Sequence, residues 1–196
     1  MFRWITRTTL AAGTTLPLLG LLTAAQAAPV HQHGRAEAAL VVEGDTLTLS
    51  FRAPLMDIVG AERPPADADE RARYQEQMDK VTAPRPSPAA GCELREEAVT
   101  TVAELFPEGQ ADHDHDHDHD HDHDHDHDHD HGGGGHQDLE ASWTYQCAHV
   151  DRLDAVTWSF LADFPALTTE VILLRPQGQG ARRLAPGQTR LTLDDA

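Results

Sequence analysis

The chain has 196 residues, 39% of them hydrophobic, and a formal net charge of −18 at neutral pH. That deficit of positive charge disfavours nucleic acid and anionic membrane surfaces and favours cations as partners. No apolar run beyond the N-terminus is long enough to cross a bilayer, so stable membrane insertion is not expected.

Residues 1–27 read as a cleavable secretory signal peptide. Arg3 and Arg7 supply the positive start, residues 10–25 form an apolar stretch interrupted by Gly, Thr and Pro17, and Ala25-Gln26-Ala27 is a small-residue cleavage pattern. The expected location is a bacterial periplasm. Loss of Arg3 and Arg7 would take the net charge from −18 to −20.

Two short strands at 36–42 and 46–51 meet at Glu43-Gly44-Asp45, a hairpin signal. Residues 54–60 predict a short turn or helical piece. Residues 67–81 predict an amphipathic helix, started by an Asp cap and ended before Pro84. Pro84, Pro86 and Pro88 make a stiff connector, followed by strands at 91–95 and 98–105. Further on, Leu139, Ala141, Trp143, Tyr145 and Cys147 alternate with polar residues along one strand. A strand at 153–160, a turn or short helix at 164–167, and strands at 170–175, 181–185 and 189–193 follow. Residues 47–53 (LTLSFRA) echo 156–162 (VTWSFLA), which suggests two related ββα halves. The fold class expected is α+β, mostly antiparallel sheet with one main amphipathic helix. Residues 28–111 and 136–196 form the two halves of one domain, and a disordered His/Asp loop separates them.

That loop, residues 112–131, is ten consecutive Asp-His pairs. Its histidines are His113, His115, His117, His119, His121, His123, His125, His127, His129 and His131. Imidazole is the commonest protein ligand for Zn²⁺, Cu²⁺ and Ni²⁺, and carboxylate offsets the charge of the ion. Having no apolar surface, the tract cannot fold alone, but in any local geometry it offers two or three ligands to one ion. Four glycines at 132–135 form a hinge; they lack the Lys and helix start of a nucleotide loop. The bland alternatives are a slippage-expanded spacer and a solubilising acidic loop, although the latter would not need histidine. The ten tract aspartates leave about −10 on the rest of the exported chain.

Cys92 and Cys147 flank the tract. In an oxidising compartment an isolated pair reads as a disulfide, which would staple the tract's two flanks; a Cys₂-type zinc site is the competing reading. Outside the tract lie His31, His33, His136 and His149. His31 or His33 with His136, joined by His149, could assemble an ordered metal site, against the alternative of ordinary surface histidines. Cleavage after Ala28 would put His31 third from a free amine, a Cu²⁺ or Ni²⁺ pattern that cleavage after Ala27 would spoil. No catalytic constellation is present: there is no G-x-S-x-G and no H-E-x-x-H, so an enzyme is not expected.

Taken in order, His31-x-His33-Gly34, the hairpin, Pro54-Leu55 to Val59-Gly60, the His/Asp tract, His136…Tyr145-x-Cys147 and Phe160…Phe164-Pro165 resemble the ZrgA-type periplasmic zinc-binding proteins across nearly all of the mature chain. The resemblance implies a zinc-responsive protein that binds Zn²⁺ and assists a zinc ABC importer and its solute-binding component. His31, His33 and His136 match recurrent family histidines. The family tends to carry Phe-Glu-His after Gly60, whereas this chain has Ala61-Glu62-Arg63, so a ligand is missing at Arg63. The functional expectation is therefore capture and buffering of Zn²⁺. A nickel, copper or cobalt chaperone or sponge is the first alternative, and a partner-binding domain with an acidic spacer is the second.

Overall fold

A computed structural model describes residues 32–107 and 137–193. The signal-peptide region, His31, the tract, the glycine hinge and His136 lie outside the described residues.

Strands β1 (Arg35–Glu43) and β2 (Thr46–Pro54) form the expected hairpin, with Glu43 opposite Thr46. Gly44 takes φ 61° in the turn, a conformation that a side chain would strain. α1 (Leu55–Val59) follows at once. It buries Leu55 and Ile58 and is closed by Gly60 in the left-handed region.

α2 (Ala68–Met78) starts as expected, with the Asp67 side chain accepting from the Glu70 N–H at 2.7 Å. It ends three residues before the expected point at Val81. The bonds tighten to three-residue spacing at Lys80 and Val81, which turns Val81 into the core.

β3 (Arg85–Pro86) is a two-residue piece, and β4 (Cys92–Val99) is one strand with an irregularity at Arg95. The strand expected at 98–105 is not formed. β4 stops at Val99 and the chain enters α3 (Val102–Leu105) through a capping box in which Thr101 and Glu104 satisfy each other's backbone N–H groups.

β5 (Asp138–Cys147) carries the expected alternation. The strand expected at 153–160 shrinks to β6 (Ala155–Thr157). Phe160 and Leu161 are neighbours and both buried, which one strand with one inward face cannot do; a tight helical turn at Ser159–Ala162 turns both inward. Consequently residues 47–53 run inside a long strand while 156–162 bend after Thr157, and the seven-residue echo shares strand conformation only at its first two positions. β7 (Thr168–Arg175), β8 (Gly178–Leu184) and β9 (Arg190–Thr192) complete the chain.

The strands make a six-stranded sheet in the order β4-β5-β2-β1-β7-β8 and a three-stranded sheet in the order β3-β6-β9. Of these pairs β1 and β7 are parallel and the rest antiparallel, giving the expected α+β class. Strands from both sides of the tract interleave, since β5 lies between β2 and β4. One face of the large sheet is apolar: Leu40, Leu49 and Trp143 are level with one another and fully buried. Against them stands an aromatic cluster. Phe160 lies 4.9 Å from Phe51 and about 6 Å from Trp143 and Trp158, mostly edge-on. Each such ring contributes roughly 1.5–3 kcal/mol by burial, with about 0.5–1.5 kcal/mol more for each well-placed ring pair.

Candidate metal centre

His33 sits in a turn that feeds β1. The turn is fixed by three backbone contacts: Arg35 N–H donates to Gln32 C=O, Thr168 N–H to Gly34 C=O, and Gly34 N–H to Asp57 Oδ2 at 2.8 Å. Gly34 has φ 76°, so it has to be a glycine. The imidazole is half exposed, and its Nδ1 lies 3.9 Å from Oε1 of the largely buried Glu62. Glu62 is three residues past the end of α1, so α1 and its exit supply two carboxylates, Asp57 and Glu62, around the turn carrying His33.

The segment holding Glu62 is pinned from behind. Arg63 makes a two-pronged bond to Glu70 at 2.7 and 2.8 Å, and the Ala66 N–H donates to the same carboxylate at 2.6 Å. The Arg63 bond and the Ala66 N–H together hold the Glu70 carboxyl at a pKa of about 2, well below its ordinary 4.5. Arg63 therefore spends its side chain on anchoring the loop at the position where the resembled family tends to carry histidine.

The chain returning from the tract reaches the same place. Gln137 C=O accepts from Leu55 N–H, the first residue of α1, at 2.8 Å. Asp138 is opposite Pro54, and Arg52, in an ion pair with Asp138, clamps the start of β5. The β1–β2 register, continued past Glu37 and Arg52, brings Arg35 level with Pro54. Arg35 and Asp138 are thus two strand spacings apart, about 10 Å. The other flank of the tract is held by α2: Arg71 donates to Phe106 C=O at 3.1 Å, and the Phe106 ring rests against Tyr74.

One expectation needs correction. His149 is exposed and follows Cys147, at the far end of β5 from Asp138, so nine residue steps, about 30 Å, separate it from the end where His33 lies. It cannot join an ion held there. The Cys92–Cys147 disulfide is present, and its cysteines are directly opposite on β4 and β5. It is also at that far end, so it is not what gathers the chain ends. The shared neighbour β2 does that, by pairing with β1 on one side and β5 on the other.

Among the described residues no group of three or more His, Cys, Asp or Glu side chains converges tightly enough to hold a metal ion. His33 and Glu62 are described. His31, His136 and the tract histidines from His113 to His131 lie outside the described residues. Sequence reading placed no weight on Glu62 as a neighbour of His33; only the fold brings these two positions, 29 residues apart, together.

No helix among the described residues is long and apolar enough to cross a membrane. No curated protein matches the chain. The model of the ZrgA family of zinc uptake proteins matches residues 30–193, which span both flanks of the tract and every strand of both sheets, and the chain belongs to that family.

Proposed function

We propose that this chain is a non-enzymatic periplasmic protein that captures and buffers Zn²⁺ and assists its delivery to the solute-binding component of a zinc import system. The observation that carries the reading is the pairing of His33 with Glu62 at the end of the large sheet where β5 begins, with Gln137 bonded to the first residue of α1. In sequence His136 directly precedes Gln137 and His31 stands two residues before His33. These three histidines and the Glu62 carboxylate make up the proposed tetrahedral ligand set. Family membership supports zinc as the cargo.

The tract plays a different part. At roughly three to four ligands per ion, its ten histidines would hold about two or three more. Those ligand sets are interchangeable, so ions exchange among them by swapping one imidazole for another, and local metal concentration rises beside the ordered site.

The test is zinc titration of mature protein lacking residues 112–131, followed by elemental analysis. About one ion should remain bound, and His33→Ala combined with His136→Ala should remove it. A deleted protein that binds no Zn²⁺ at micromolar concentration overturns the ordered site. Replacing all ten tract histidines by Asn tests the rest: capacity should fall to about one ion, and an unchanged capacity would reduce the tract to a spacer.

A further inference from the structure

The second face of the six-stranded sheet carries cross-strand rows of a distinctive order. One row reads Glu140, Arg52, Glu37, Glu170, Arg183 along β5, β2, β1, β7 and β8. The next reads Ser142, Ser50, Ala39, Ile172, Ala181, and the one beyond it Thr144, Thr48, Val41, Leu174, Gln179. Ile172 and Leu174 are 48% and 42% exposed. They stand as a two-residue ridge on β7, while the matching positions on β2, Ser50 and Thr48, carry small side chains.

These rows are complementary to their own reversal. A twofold axis running along β1 exchanges β2 with β7 and β5 with β8 across a pair of facing sheets. In the charged row Glu140 then meets Arg183 of the copy, Arg52 meets Glu170, and both contacts occur twice. In the next rows Ile172 meets Ser50 and Leu174 meets Thr48, while Ala39 and Val41 meet their own counterparts on the axis. On the axis Glu37 and Arg35, two residues apart on β1, each face their own counterparts, and diagonal Glu37–Arg35 contacts between copies offset these two like-charged pairs. We propose that this face is the docking surface for a second copy of the chain, packed sheet on sheet about that axis.

The geometry suits such packing. Facing sheets sit about 10 Å apart with strands within about 30° of aligned. That angle displaces the outermost strands by roughly 5 Å, which the long Glu140 and Arg183 side chains can span. Under that axis five strands, from β5 across to β8, face their counterparts and β4 overhangs, so the paired area is about 19 Å across and about 25 Å along, roughly 480 Å² in projection, the size of a weak rather than an obligate interface. No zinc is required, and the ligand end of the sheet stays open.

The experiment is sedimentation equilibrium of full-length mature protein with chelator present, at concentrations up to roughly 100 μM, where a dimer with Kd near 10 μM is mostly associated. Wild type should dimerise. Ile172→Lys, Glu140→Arg and Arg183→Glu should each weaken association by more than about tenfold, since like charges facing each other are strongly repelled. Mixing the Glu140→Arg and Arg183→Glu proteins should restore the dimer. Each repels itself at two sites, yet the mixed pair regains both opposite-charge contacts. A misfolded variant could not produce that rescue. Wild type that stays monomeric, single variants that still dimerise, or a mixture that stays monomeric would each overturn the proposal.

Discussion

Replacing both cysteines, Cys92→Ser with Cys147→Ser, should separate stability from zinc binding. The disulfide closes a loop with a sequence separation of 55. Loop-closure entropy for that length amounts to about 14 cal/mol/K, or about 4 kcal/mol at 25 °C. Removing the 20 tract residues from the loop would shorten the separation from 55 to 35 and lower the contribution by only about 0.4 kcal/mol. A domain of this size holds roughly 5–15 kcal/mol, so the variant should remain folded. With a urea m value of about 2 kcal/mol/M, its midpoint should fall by about 2 M at unchanged slope. Trp143 and Trp158, both fully buried, report the transition by fluorescence. Zinc capacity, measured by competition against a chelator below the transition, should equal that of wild type, because β2 and not the disulfide brings His33 and Gln137 to one end. A midpoint shift under about 0.5 M at the same slope would refute the entropy argument. Loss of the last bound ion from a folded variant would refute the claim that the sheet organises the centre.

Phe160→Ala, which removes the ring shared by Phe51, Trp143 and Trp158, should cost about 3–5 kcal/mol, read by thermal unfolding. Because Glu70 has its pKa lowered in the fold, the stabilisation it gives is complete above its ordinary 4.5 and is lost as pH falls from there to about 2. Arg63→Gln should return the Glu70 carboxyl toward its ordinary range in an NMR titration; an unmoved titration would deny the clamp. Zinc uptake should fall steeply as pH drops through about 6.5, since imidazole must be neutral to ligate. Calorimetry showing undiminished stoichiometry at about pH 5 would exclude histidine ligation.

The central strands were legible because their signal is local. β2 and β5 alternate apolar and polar residues, β1 and β7 are short runs rich in apolar residues, and Gly44 marks the turn between β1 and β2. Errors came at segments whose apolar residues serve two faces. In 98–105, Val99 packs from the sheet edge while Val102 packs from a helix, and the Thr101-x-x-Glu104 cap marks the change. In 153–160, the density of large side chains reads as a strand until Leu161 is seen to need the same core as Phe160. The parallel pairing of β1 with β7, more than a hundred residues apart, leaves no local trace at all.

The candidate centre divides in the same way, and the division has a functional consequence. Residues 112–131 announce their chemistry by composition, and any set of neighbouring imidazoles there is equivalent to the next. Selectivity in such a set comes from ligand type alone, which favours copper and nickel at least as much as zinc. The proposed ordered site works the other way: His33 and Glu62 are unremarkable in sequence, and the turn before β1 and the exit of α1 bring them together. A site held by a sheet can impose a tetrahedron and so prefer zinc by geometry. A protein that needs both capacity and selectivity gains from keeping them in separate segments, and in sequence the glycine hinge, His136 and Gln137 join the tract to β5.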